Sequence, residues 1–211
     1  MENEISDEFP QELELDGITL QGKKFSGFSI ENREFYDCHI EKCTFQEMTF
    51  AHCRFSQCTF EQCDLSLITL EMCHFQNTRF INTRLVGIAW TKLDWHKKAI
   101  QPAFHFENCN LNYGSFFGCS LKNCQATDCS FKEVDFSEAD LTNTDLHGSD
   151  LSQARFFHTN LTQTNFTGAL SYNIDATCNT LKQTRFSLPE AISLLYSLDI
   201  ILDDNPEDQG S

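Results

Sequence analysis

The chain repeats every five residues. From Leu15 to Trp95 seventeen consecutive fives each place an apolar residue at the centre, as in Phe35, Ile40, Phe45, Phe50, Phe55 and Phe60. Two residues before most centres stands a small or soft side chain, such as Cys38, Cys43, Met48, Cys53 and Cys58. The remaining places are mostly polar: Glu41, Lys42, Gln46, Glu47, His52, Arg54. After Trp95 the phase slips by one residue. It resumes at Phe106 and gives thirteen more centres to Phe166, of which only Ala126 is small.

A strict five fits neither standard element. On an α-helix five steps turn a side chain through about 500°, so the centres would scatter around the axis. On a flat strand an odd step sends successive centres to opposite faces. The chain must therefore turn a corner about once in five residues, so that every centre points to one axis. That is a solenoid, and internal repeats override other fold signals. Thirty inward centres, each contributing about 1.5–3 kcal/mol on burial, make a sufficient core before chain entropy is subtracted.

The net charge of −16 argues against direct nucleic-acid binding, because displacing phosphate counterions needs Lys and Arg. It argues against an anionic membrane surface for the same reason. Two readings of the charge stand: solubility for a fold with much surface, or imitation of a polyanion. Ten cysteines (Cys38, Cys43, Cys53, Cys58, Cys63, Cys73, Cys109, Cys119, Cys124 and Cys129) occupy the place two before a centre. A small, soft, buried side chain suits that corner. Cys178 lies outside the repeats. The N-terminus shows neither a basic nor an apolar signal-peptide region, and no apolar run reaches membrane-span length. Free thiols and a cytoplasmic location are the expectation.

In chain order, residues 1–14 are acidic without Lys or Arg and read as a tail or a first-coil cap. Residues 15–95 are the first block. Gly17, Gly22 and Gly27 mark corners that need positive φ. Lys23 and Arg33 fall at inward places; an unpaired charge is not buried, so the early coils are expected to be open or distorted. Residues 96–105, with Lys97, Lys98 and Pro102, read as a loop. It is either a register correction or a partner contact. Trp90 and Trp95, as centres, read as core.

Residues 106–170 are the second block. It carries Asp128, Glu133, Asp135, Glu138, Asp140, Asp145 and Asp150 against Lys132 and Arg155, and these acids are expected to form a negative stripe. Several sit one before a centre, where Asp can also satisfy the turn backbone. Residues 171–187 lose the period. Ser187-Leu188-Pro189-Glu190 reads as a capping box for a helix over 188–198, followed by a short strand at Ile200, Ile201 and Leu202. This 171–202 segment would close the solenoid, and Leu194, Leu195, Leu198, Ile200, Ile201 and Leu202 would serve a two-fold dimer. Residues 203–211 read as a disordered tail.

The second block resembles the pentapeptide-repeat family, whose pattern is A(D/N)LXX: Ala139-Asp140-Leu141, Thr144-Asp145-Leu146, Ser149-Asp150-Leu151 and Thr159-Asn160-Leu161 match it closely. The resemblance covers most of the 211 residues and implies a right-handed quadrilateral β-helix, all-β, in which residues twenty apart stack. The first block departs from the pattern with Cys for Ala and mostly Phe for Leu. The C-terminal run Glu190 to Leu202 resembles the helix-then-strand module of the Qnr, MfpA and McbG group. That resemblance implies a homodimer, a DNA-like rod, and binding to gyrase or topoisomerase IV with protection from quinolones or microcins. Gram-negative Qnr members carry two projecting loops; this chain offers one candidate, 96–105. A protein-interaction scaffold without a topoisomerase role is the alternative. About 7.5 coils from Leu15 to Phe166 make a rod of roughly 36 Å, matching duplex DNA with about 21 charges.

No catalytic constellation stands out. The five-residue cysteine spacing is not a zinc spacing, and no GxGxxG, P-loop or GxSxG motif occurs. A filled core leaves no cleft in which carboxylates could be tuned. No enzyme activity, cofactor or metal is expected.

Overall fold

The computed structural model describes residues 8–95 and 102–200. It is an all-parallel β-solenoid of about eight coils. Residues twenty apart pair in register: Leu15 with Phe35, Phe35 with Phe55, and Phe55 with Phe75. Four fives make one coil, so the centres fall into four stacks, one per face. Face 1 runs through Leu15, Phe35, Phe55 and Phe75 and continues after the break at Leu121, Leu141 and Leu161. Face 2 follows Leu20, Ile40, Phe60, Phe80, Phe106 and Ala126. Face 3 begins with Phe25 and Phe45. Face 4 begins with Ile30, Phe50 and Leu70 and goes on through Trp90, Phe116, Phe136 and Phe156, whose rings stack 5.2, 5.5 and 5.3 Å apart. All thirty centres are buried except Leu20 and Trp95, which are partly buried.

Two local devices turn the corners. In both blocks the residue two after a centre has positive φ, at Gly17, Gly22 and Gly27 but equally at Lys42, Gln57 and Met72. An L-residue there costs about 1–2 kcal/mol. The cost is offset because each such amide donates along the rod, as Asp37 N does to Ser56 O (3.0 Å) and Lys42 N to Glu61 O (2.9 Å). Where the residue before the centre is Asp or Asn, its carboxyl or amide oxygen also accepts the N–H two residues on. Asp64 with Ser66 (2.9 Å) is a first-block case, and the second block repeats it.

In many repeats the small place two before the centre has a second role. Its side chain donates to a carbonyl 23 residues earlier: Cys38 Sγ to Leu15 O (3.1 Å), Thr78 Oγ1 to Phe55 O (3.2 Å), Thr144 Oγ1 to Leu121 O (2.7 Å) and Ser149 Oγ to Ala126 O (2.8 Å). Cys, Thr and Ser are interchangeable there because each is small and carries one donor. The ten repeat cysteines are buried. Burial pushes the Cys119 thiol up to about 12 and the Cys124 thiol up to about 11.

Four sequence expectations are corrected. The early coils are regular, as Phe25 pairs with Phe45 and Thr44 N reaches Lys23 O at 2.9 Å. Arg33 is tolerated because its guanidinium donates to the carbonyls of Pro10 and Glu12 (2.7 Å to Glu12). That contact holds down residues 8–14, where Phe9 packs its ring 4.9 Å from Phe25 and closes the N-terminal end. Within 96–105, Phe104 belongs to a strand, Phe104–Glu107. Phe80 pairs with Phe106 across 26 residues instead of twenty, so six residues are inserted in that coil. Lys97 and Lys98 lie outside the described residues.

The span 171–187 does not lose the coil. Asn165 pairs with Arg185 and Phe166 with Phe186, and Tyr172 and Ile174 are buried in place of a centre at Ser171. The capping box does not form: Ser187 Oγ instead accepts the Gly168 N–H (2.9 Å), and a 3-10 helix runs over Glu190–Leu198 without a side-chain cap. This helix is tied to the last coil by Ala176 N donating to Ser197 Oγ (3.0 Å) and by Leu194 against the core. Ile201, Leu202 and 203–211 lie outside the described residues.

Candidate partner-binding surface

The seven acids expected to form a stripe do not line up along the rod. Successive fives occupy successive faces, so Asp135, Asp140, Asp145 and Asp150 stand on four different faces of one coil. Their stacked neighbours one coil on are Arg155, Asn160, Asn165 and Leu170. Asp128, Glu133 and Glu138 occupy three corners of the same region, all with positive φ. The result is a girdle around the rod.

The girdle contains two kinds of carboxylate. The four aspartates each accept a turn N–H: Asp135 from Ser137 (2.9 Å), Asp140 from Thr142 (3.0 Å), Asp145 from His147 (3.0 Å) and Asp150 from Ser152 (3.0 Å). Lys122 pairs with Asp140 at 2.9 Å and Lys132 with Asp150 at 3.0 Å. Burial opposes ionisation of Asp140 and Asp150, but hydroxyl, amide and ammonium donors together hold both carboxyls below the ordinary range. By contrast Asp128, Glu133 and Glu138 are exposed. The Asp128 carboxylate lies across Gly148, where an added Cβ would collide with its Oδ1.

Reading at the five-residue period missed where acids do stack. At a spacing of twenty, Glu14 lies in register with Glu34 and Glu41 with Glu61. Like charges directly opposite each other oppose pairing. Only the coil length reveals these pairs.

The C-terminal surface is apolar. Leu198 and Ile200 are exposed, together with Leu188, Ile192, Tyr196 and Leu170, which were not among the residues expected at a dimer contact. Leu194 packs inward on the core and Leu195 is partly buried. Pro102 ends the insertion, its carbonyl accepting Asn77 N at 2.9 Å. Among the described residues no group of three or more His, Cys, Asp or Glu is placed to hold a metal ion. No described helix is long and apolar enough to cross a membrane.

A filled four-faced solenoid with its chemistry confined to surface rows defines a pentapeptide-repeat solenoid. The chain belongs to the pentapeptide-repeat proteins. A model described as "Pentapeptide repeat region" matches residues 33–116, and one described as "Pentapeptide repeats (8 copies)" matches 119–156 and 135–170. Its fold is similar to that of QnrB1, described as a plasmid-mediated fluoroquinolone resistance protein. A trypsin-treated QnrB1 variant superposes with a TM-score of 0.72 at 17% identity, over 90% of this chain and 99% of that one. A second trypsin-treated variant gives 0.58 at 16% identity, over 90% and 100%. Full-length QnrB1 gives 0.52 at 20% identity, over 89% and 100%. Among proteins of curated function, none matches the chain in sequence.

Proposed function

We propose that this chain is a non-enzymatic, DNA-mimicking rod of the cytoplasm that binds a type II topoisomerase, gyrase or topoisomerase IV, and protects it from a quinolone or toxin. The observation that carries the reading is the likeness to QnrB1 over nearly the whole of both chains, joined to a net charge of −16. Eight coils at about 4.8 Å make a rod of about 38 Å, and duplex DNA of that length carries about 22 charges. The exposed apolar end formed by Leu188, Ile192, Tyr196, Leu198 and Ile200 suits a two-fold contact with a second copy, which would double rod length and charge.

One observation favours a second reading, a scaffold for another protein. The aspartates of the second block are bound up in their own turns, so part of the acidity serves the fold.

The test is a gyrase supercoiling assay with purified protein, with and without ciprofloxacin, across a salt series. Inhibition at high protein, or rescue from the drug at low protein, with an effect that fades as salt rises, is the expected result. No effect on either topoisomerase at any salt refutes the reading and leaves the scaffold.

A further inference from the structure

Face 2 carries a surface cavity of about 310 Å³ beside the six-residue insertion. Three parallel strands, Thr78–Ile81, Phe104–Glu107 and Gln125–Thr127, form its floor. Their outward places stack as Arg79 on His105 on Gln125, and as Ile81 on Glu107 on Thr127. The corner that precedes these strands accounts for the opening. Corner amides elsewhere bond to one another one coil apart, as Asn143 does to Asn123 (2.9 Å) and Gln163 to Gln183 (3.0 Å). In the coil that carries the insertion Ala103 holds that corner place, so no amide meets Asn77 from the next coil. Asn77 Oδ1 lies 2.9 Å from His105 Nε2 instead.

The lining offers a ligand one positive and one negative charge. His105 supplies neither. Its Nδ1 lies 3.2 Å from Gln125 Oε1, so both ring nitrogens are occupied. Burial, with the Arg79 charge, holds its pKa below the ordinary value against the pull of the Gln125 bond. The neutral ring donates through one nitrogen and accepts an amide N–H through the other. Arg79 and Glu107 are exposed and hold diagonal places on neighbouring strands, about 7–8 Å apart. Among the described residues neither has an ion-pair or side-chain hydrogen-bond partner. Two opposite charges therefore border one cavity without closing on each other, and Ile81 gives that cavity an apolar edge.

We infer that this cavity binds a small α-amino acid as its zwitterion. The Arg79 guanidinium forks onto the carboxylate, a pairing whose geometry it matches. The Glu107 carboxylate accepts from the ammonium, and Ile81 meets an aliphatic side chain. Charge selects against ligands of a single sign. An anion meets Glu107 and the field of a chain whose net charge is −16. A cation meets Arg79 and leaves its guanidinium unpaired. A zwitterion is neutral overall and satisfies both groups. The cavity's volume is at the lower end of the range for small-molecule sites, which suits a ligand of this size. The inference goes beyond the rod's protein partner and does not depend on that partner's being a topoisomerase.

The experiment titrates the isotope-labelled full chain with L-leucine and follows the backbone amide shifts by NMR. Saturable shifts centred on the Thr78–Ile81, Phe104–Glu107 and Gln125–Thr127 strands are expected, with a Kd of about 1 mM. Two analogues keep the side chain and drop one charge: isocaproate lacks the ammonium and isoamylamine lacks the carboxylate. Each should bind about tenfold more weakly or worse. Arg79→Gln and Glu107→Gln should each weaken L-leucine by a similar factor, with melting temperatures showing that both variants are folded. Absence of saturable shifts at about 20 mM L-leucine overturns the inference. So does an analogue that binds within about threefold of L-leucine, or an affinity for L-leucine unchanged in both folded variants. The gyrase assay reads a different property, so either reading can fail while the other stands.

Discussion

Phe104→Ala is expected to lower the unfolding free energy by about 3–5 kcal/mol, the usual cost of deleting a phenyl ring from a packed core. The residue lies two before the centre Phe106, a place that most repeats fill with a small side chain, Cys, Thr, Ser or Ala. Yet it is fully buried. Its ring stands 5.1 Å from Trp90, 5.2 Å from Phe75, 5.2 Å from Phe106 and 5.9 Å from Trp95. The six-residue insertion interrupts the coil beside Phe75, and Phe104 fills the interior at that break. Interiors are packed like crystals, so an alanine there leaves a void that the neighbouring rings cannot fully close. Urea denaturation of the purified variant measures the effect. A loss below about 1 kcal/mol would mean that Phe104 is not part of the core.

The second large effect separates two ways of changing the same four aspartates. Converting Asp135, Asp140, Asp145 and Asp150 together to Lys should cost about 4 kcal/mol, because four turn bonds of about 1 kcal/mol each are lost. Asp140→Lys and Asp150→Lys also set an ammonium beside Lys122 and Lys132, which now pair with those carboxylates. Converting the same four to Asn removes four negative charges and keeps the oxygen that accepts the turn N–H. The chain already uses that solution: Asn110, Asn160 and Asn165 hold the amides of Asn112, Thr162 and Thr167 in the same way. The Asn set should therefore stay within about 1 kcal/mol of wild type. On the proposed function it should also weaken topoisomerase inhibition and flatten the salt dependence of that effect. Thermal or urea unfolding of both sets checks the structural half. A Lys set as stable as wild type would show that the turn bonds contribute nothing.

Most of the fold is legible from one regularity. A period of five can be satisfied only by a chain that turns at every repeat, so the apolar centres name the core directly. The Asp and Asn residues before the centres were recognisable as turn acceptors from residue type and place. The surface was less legible, because a period of five by itself does not show which residues share a face; the twenty-residue stacking came only with the family resemblance. Asp135 and Asp140 are neighbours in the repeat but lie on different faces, whereas Glu14 and Glu34 share a row from twenty residues apart.

The ends and the break show a different limit. Phe9, Arg33 and Phe104 break the repeat's own rule for their places. Each is accommodated by partners that only the folded chain brings near: the Phe25 ring, the carbonyls of Pro10 and Glu12, and the cluster around Trp90. Likewise Ser187 has the residue type and spacing of a helix cap, but the Gly168 amide of the preceding coil takes its hydroxyl. The sequence by itself determined the solenoid, its core and its turns, because those depend on local geometry repeated many times. Only the tertiary structure decided the girdle and the plugged ends. They depend on stacking one coil length apart, and that distance is set by the closure of the coil.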